Sequence, residues 1–123
     1  MSDISLRLPL IKPYEALKSD YWTVRFHSSQ SEFAADHILV DPDRFIVGYG
    51  ANGTTEISGK AVPYMFYFVI DLKNKIEMPF NDSAKFLYEL NRLGYSWSNL
   101  VLTDSIYSKY HETGLIPWLS PQK

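Results

Sequence analysis

The 123-residue sequence contains no cysteine, which excludes disulfides, thiol catalysis and thiolate metal sites. It has no long apolar run. Tyr64–Ile70 has no charged or amide side chain, but its seven residues are far short of the ~20 a membrane span requires. The opening stretch, MSDISLRLPLIKPYEALK, has neither a continuous apolar core nor a small-residue cleavage site, so it reads as neither signal peptide nor anchor. A cytoplasmic protein is the expectation. There is no basic stripe either: 12 lysines and arginines face 14 aspartates and glutamates, for a net charge of −2. That argues against a nucleic-acid binder.

Several catalytic and cofactor patterns are missing as well. No serine has glycine two residues to each side, as a nucleophile elbow requires. No GK[ST] triplet exists for a Walker loop, and none of His27, His37 and His111 pairs with another at helical metal-site spacing. A spatial set of His27, His37 and Asp41 is the one metal arrangement worth naming, and the favoured expectation is no metal. Gly48-Tyr49-Gly50 with Gly53 spells G-x-G-x-x-G. The phosphate-binding version lies between a strand and a helix. Here TTEISGK follows, without a helical stripe, so the pattern reads as a glycine-rich hairpin loop. No cofactor is expected.

What the sequence does have is apolar and aromatic material, 46% and 15% of residues. That is enough for a core in one domain spanning 1–123. Its organising stretch is VPYMFYFVIDLK, Val62–Lys73. Tyr64, Phe66, Phe68, Ile70 and Leu72 alternate with Met65, Tyr67, Val69 and Asp71, so both faces are mostly apolar. The pattern predicts an inner strand covered on both sides.

Ile4–Leu17, with Pro9 and Pro13, reads as an extended arm with a helical turn at Tyr14–Leu17. Asp20–His27 alternates like a half-buried strand, with Trp22, Val24 and Phe26 inward. Ser28–Asp36 reads as loop and His37–Val40 as a short strand. Asp41-Pro42-Asp43 is a turn, and Arg44–Tyr49 resumes as strand. Gly48 and Gly50 suggest a bulge or a close backbone approach. Ala51–Lys60 reads as loose, with a short strand at Thr54–Ile57 folding back on Arg44–Tyr49. Lys73-Asn74-Lys75 is a tight turn, and Ile76–Met78 returns.

A helix begins near Asn81-Asp82-Ser83, carries the stripe Phe86, Leu87, Leu90 and Leu93, and stops at Gly94. Ser98–Leu102 is a short strand or a turn. A second helix, Asp104–Glu112, is expected with Thr103 as its cap and Gly114 as its stop. The apolar tail Leu115–Leu119 should dock on the body. Strands first and helices last predict an α+β fold, an antiparallel sheet of four to six strands with two C-terminal helices packed on one face.

The stretch YFVIDLKNKIEMPFNDSAKFLYELNRLGY, residues 67–95, resembles small bacterial immunity proteins of polymorphic-toxin and contact-dependent growth-inhibition systems. Its apolar strand ending in IDLK, tight turn, Ile-x-Met return and capped helix ending in LGY carry the resemblance. It implies a cytoplasmic, single-domain, non-enzymatic inhibitor that binds one toxin domain, often a nuclease. It carries no defined functional residue onto this chain.

Charge placement suggests where such a partner would bind. Residues 20–56 hold six carboxylates against Arg25 and Arg44, a balance of −4, while each flank is +1. The expected contact is therefore Glu32, Asp36, Asp41, Asp43 and Glu56, with Tyr49 as an aromatic anchor, facing a basic toxin domain. The same carboxylates also fit ordinary solvated loops, and Asp41 and Asp43 fit local turn bonding. The alternative function is a small enzyme or ligand-binding domain, which a polar pocket converging on His27 or His37 would favour.

Overall fold

The structure, a computed structural model, describes residues 6–118, apart from the side chains of 52–55 and 63. Among the described residues, nine strands and two helices form an α+β fold in which every strand pairing is antiparallel. The first four strands, β1 (Leu6–Pro9), β2 (Glu15–Lys18), β3 (Trp22–Arg25) and β4 (Glu32–Ala34), make a meander in chain order. The other five, β5 (His37–Asp41), β6 (Phe45–Ile57), β7 (Lys60–Asp71), β8 (Ile76–Phe80) and β9 (Val101–Leu102), form a second sheet in the order β8-β7-β6-β5-β9. The helices are α1 (Ser83–Arg92) and α2 (Thr103–Thr113).

The organising stretch is β7, an inner strand between β6 and β8. Its two faces feed two separate cores. Phe68 and Ile70 join Ile38 and Ile46 against Leu8, Trp22, Val24 and Phe26 of the meander. Tyr67 and Val69 join Val47 beneath Phe86 and Leu90 of α1. The layers are therefore meander, second sheet and α1. Asp82 caps α1 by accepting the amides of Ala84 and Lys85, and Gly94 follows the helix at φ +94°.

The strand content exceeds the sequence expectation, and several local readings change. The N-terminal arm is the hairpin β1–β2 (residue 4, where that reading began, lies outside the described residues). Pro9 sits in an edge strand, where its missing amide costs no ladder bond, and Pro13 sits in the connecting loop. The helical turn expected at Tyr14–Leu17 is strand β2, because pairing on both sides outweighs four residues' capacity to nucleate a helix.

The expected loop Ser28–Asp36 contains β4, a three-residue edge strand. The GYGANG segment is not a hairpin loop. It lies inside β6, with a register irregularity between Ala51 and Thr54. Thr54–Ile57 pairs with Lys60–Pro63 of β7 instead of folding back on Arg44–Tyr49, across a Ser58-Gly59 turn with φ of +53° and +78°.

The two helices also belong to different cores. Val101–Leu102 pairs onto the outer edge of β5 and carries the chain round the sheet, so that Ile106, Tyr107 and Tyr110 of α2 pack on the meander core. Thr103 is not the helix cap. It is fully buried, its hydroxyl donates to the Ala35 carbonyl at 2.5 Å, and its amide donates to the Asp36 carbonyl at 2.8 Å. Ile116 and Trp118 dock the tail as expected, with Trp118 Nε1 donating to the Pro9 carbonyl at 3.1 Å. Leu119, the end of that expected tail, lies outside the described residues.

Candidate functional site

The five-strand register aligns one residue from each strand on the face beneath α1. Leu102 of β9 lies opposite His37 of β5, His37 opposite Tyr49 of β6, Tyr49 opposite Tyr67 of β7, and Tyr67 opposite Phe80 of β8. Directly opposed residues share a face, so these five side chains form one row across the sheet. Its middle is sealed: Tyr67 is buried under the Phe86 ring, 4.9 Å away. Towards β9 the row emerges from the helix.

There Tyr49 is held between two rings. The His37 imidazole stacks on one side at 4.6 Å and 6°, and the Trp97 indole on the other at 4.6 Å and 28°. Trp97 belongs to the single 3-10 turn Trp97–Asn99 between α1 and β9 and remains 39% exposed, while Leu102 is 50% exposed. The result is a rigid aromatic platform with an open apolar rim. Burial pushes the Tyr49 phenol above its ordinary pKa; the Trp97 contact pulls the other way, and the charge of Asp36 adds to the rise. Nδ1 of His37 is buried without a hydrogen-bond partner among the described residues.

The six residues expected to bind a partner divide by position. Tyr49 is the platform's centre; the Asp36 carboxylate lies beside Gly50 on the meander-facing side of the sheet, near enough for its charge to act on the Tyr49 phenol. Oδ2 of Asp36 accepts the Ala51 amide at 3.3 Å, taking the place of the next ladder acceptor where β5 begins. The close approach expected at Gly50 has this cause, since a Cβ there would lie 2.9 Å from both the amide nitrogen and Oδ2 of Asp36.

Glu32 pairs with Arg25, its cross-strand neighbour on β3. Asp41 accepts the Tyr95 hydroxyl at 2.5 Å and an Arg44 guanidinium nitrogen at 3.4 Å. Asp43 is exposed in the β5–β6 turn at φ +72°. Glu56 is exposed near the far end of the β6–β7 hairpin. From Phe45, beside the Asp43 turn, to Glu56 is eleven residues of β6, about 36 Å at roughly 3.3 Å per residue. The carboxylates therefore do not form one patch.

Trp97, His37 and Leu102 complete the platform; sequence reasoning names His37 only as a metal or pocket candidate and does not single out Trp97 or Leu102. Nothing local in the sequence reveals a cross-strand row. Among the described residues, no group of three or more histidine, aspartate or glutamate side chains is placed to hold a metal ion. No helix among them is long and apolar enough to cross a membrane. No family model matches the sequence, and no curated protein or solved structure matches it either.

Proposed function

We propose that this protein is a non-enzymatic inhibitor that binds a cognate toxin domain in the cytoplasm, as the immunity-protein resemblance of residues 67–95 implies. The observation that carries the reading is Tyr49 fixed between His37 and Trp97 at an open apolar rim. Preorganised tyrosine and tryptophan side chains lose little conformational freedom on binding and dominate the energetics of many interfaces. Asp36 beside the platform supplies a negative charge suited to an arginine or lysine of a basic partner, such as a nuclease cleft.

On this reading the expected contact surface narrows to the platform. Tyr49 is its centre, with Asp36 near it and Trp97 and Leu102 added. Asp41, Asp43 and Glu56 lie along the strand, where they steer encounter over distance more than they make contact. The test is capture of toxin C-terminal domains from the same genome by the purified protein, followed by rescue of cells expressing the captured domain. Failure of every such domain to bind and to be neutralised would end this reading.

One observation favours the alternative of a ligand-binding domain. A cavity partly lined by His27 lies on the other side of the second sheet.

A further inference from the structure

That cavity, of about 270 Å³, opens where loops of the meander meet the turn between β7 and β8. Pro13, Leu72 and the Tyr14 ring form apolar wall, and charged groups stand around them. The two acids there are already occupied. The Glu77 carboxylate accepts the Tyr14 hydroxyl at 2.6 Å, the His27 amide at 2.6 Å, the Ser28 amide at 3.0 Å, and the Ser28 hydroxyl. The Asp71 carboxylate accepts the backbone amide of Asn74 at 3.0 Å and its side-chain nitrogen at 2.8 Å. Burial alone would raise both acids' pKa values; the hydrogen bonds outweigh it and hold both below the usual range.

The cations are in the opposite condition. Lys12 and Lys75 line the cavity without an ion pair or side-chain hydrogen bond among the described residues. Formal charges of these four groups cancel, but Lys73, whose charge acts on Asp71, leaves the neighbourhood positive by one. Acceptors are spent internally and donors remain. Lys75 also holds φ at +58°, a region that favours glycine or asparagine. The turn therefore tolerates backbone strain at the residue that brings an ammonium to the cavity.

We propose that this cavity binds a small organic anion, a carboxylate or phosphate monoester on a compact apolar body. The body packs on Pro13, Leu72 and Tyr14, and the anionic head takes the free donors of Lys12 and Lys75. Glu77 is a positioning residue that fixes the meander loops around the space. Glu77 lies opposite Ile70, on the face turned towards the meander, whereas the Tyr49 platform lies on the α1 face. The proposal therefore stands or falls independently of the partner-binding reading.

The test is an amide NMR titration of the full chain with three probes, phenyl phosphate, benzoate and inorganic phosphate. Saturable shifts at His27, Ser28, Lys75 and Glu77 are expected with an organic probe, at dissociation constants of about 1 mM or tighter. The tighter organic probe identifies the head group. Lys75→Gly keeps the turn's backbone conformation and should weaken binding about tenfold, as should Lys12→Gln, each removing one charge-assisted donor. Lys85→Gln on α1 should leave affinity unchanged. The absence of saturable shifts up to about 10 mM would overturn the proposal, as would wild-type affinity in both Lys75→Gly and Lys12→Gln. Inorganic phosphate binding as tightly as phenyl phosphate would overturn the apolar part of the site.

Discussion

Tyr14 donates its hydroxyl to Glu77 across 2.6 Å, and that bond joins a loop of the meander to an edge strand of the second sheet. The same carboxylate takes the amides of His27 and Ser28. One side chain thus gathers two meander loops onto β8. Glu77→Ala leaves these donors to water or to nothing and should destabilise the fold by about 1–3 kcal/mol.

The pH dependence of this contribution has a definite sign. Glu77 is held below its unfolded pKa, because the bonds from Ser28, Tyr14 and His27 outweigh the opposing effect of burial. Its stabilisation is therefore complete above the unfolded pKa and is lost as pH falls through the folded one. In a chemical-denaturation series from neutral to acid pH, Glu77→Gln should start less stable and lose less than the wild type. Parallel acid limbs would show that Glu77 is not coupled to folding.

Gly48 and Phe68 pack so closely that a Cβ on the glycine would lie 2.5 Å from Cζ of the ring. Phe68 is fully buried between the meander and the second sheet. Phe68→Ala should cost about 3–5 kcal/mol, and Gly48→Ala about 1–3 kcal/mol by overpacking. Combining Gly48→Ala with Phe68→Leu should cost less than the sum of the two single changes, since the smaller side chain makes room for the methyl group. Strict additivity in denaturation midpoints would refute the steric account.

This pair marks the boundary of what the sequence made legible. The unbroken alternation of Tyr64–Leu72 announced a strand buried on both faces, and Gly48 and Gly50 announced either a bulge or a close approach, of which the close approach is what they make. Both readings rest on side-chain period and local steric need, which a linear sequence displays. β2 and β4 escaped because they are four and three residues long and exist by virtue of neighbours on the meander. β6 was broken into pieces because Asn52-Gly53 carries a turn signal that pairing with β7 overrides. The platform was half visible. Tyr49 and Asp36 stood out by residue type, but His37, Trp97 and Leu102 join Tyr49 only through register and a short 3-10 turn.

Tyr95 and Asp41 offer a second pH test, at the opposite extreme. Burial, and then the 2.5 Å bond to the Asp41 carboxylate, push the Tyr95 phenol up to about 12; Arg44 opposes them. A raised pKa means that the neutral phenol is preferred by the folded chain. The resulting stabilisation is full below the ordinary value of 10 and is lost as pH rises through about 12. Phenol absorbance should show a late-ionising tyrosine that Tyr95→Phe removes. That variant should also flatten the alkaline decline in stability. Loss of the late step in Asp41→Asn as well would tie it to this pair; an unchanged titration in Tyr95→Phe would exclude it.

The sharpest expectation concerns the platform, because the structure separates two ideas that the sequence merged. If the interface were built from acidic residues alone, then Glu32→Gln with Asp36→Asn and Asp41→Asn with Asp43→Asn should weaken binding of the toxin domain alike. Glu32, Asp41 and Asp36 already serve Arg25, Tyr95 and the Ala51 amide. On the platform model the Asp36-containing variant should slow association and reduce its salt sensitivity, as removal of a steering charge does. The Asp41 and Asp43 variant should act more weakly, being displaced along β6. The aromatic residues should carry the dissociation rate. Trp97→Ala is expected to cost about 2–4 kcal/mol of binding free energy, in the hot-spot range. Trp97 also packs edge-on to Phe86 at 5.9 Å, so its loss disturbs the α1 core as well. Leu102→Glu avoids that ambiguity. The side chain is 50% exposed in a two-residue edge strand, so a charge there leaves both cores intact while burying badly under a docked partner. A folded Leu102→Glu protein that no longer rescues cells would place the contact at this rim. Wild-type affinity in both Leu102→Glu and Trp97→Ala would remove the platform from the interface. The search would then move to the outer face of α2 and the docked Trp118 tail.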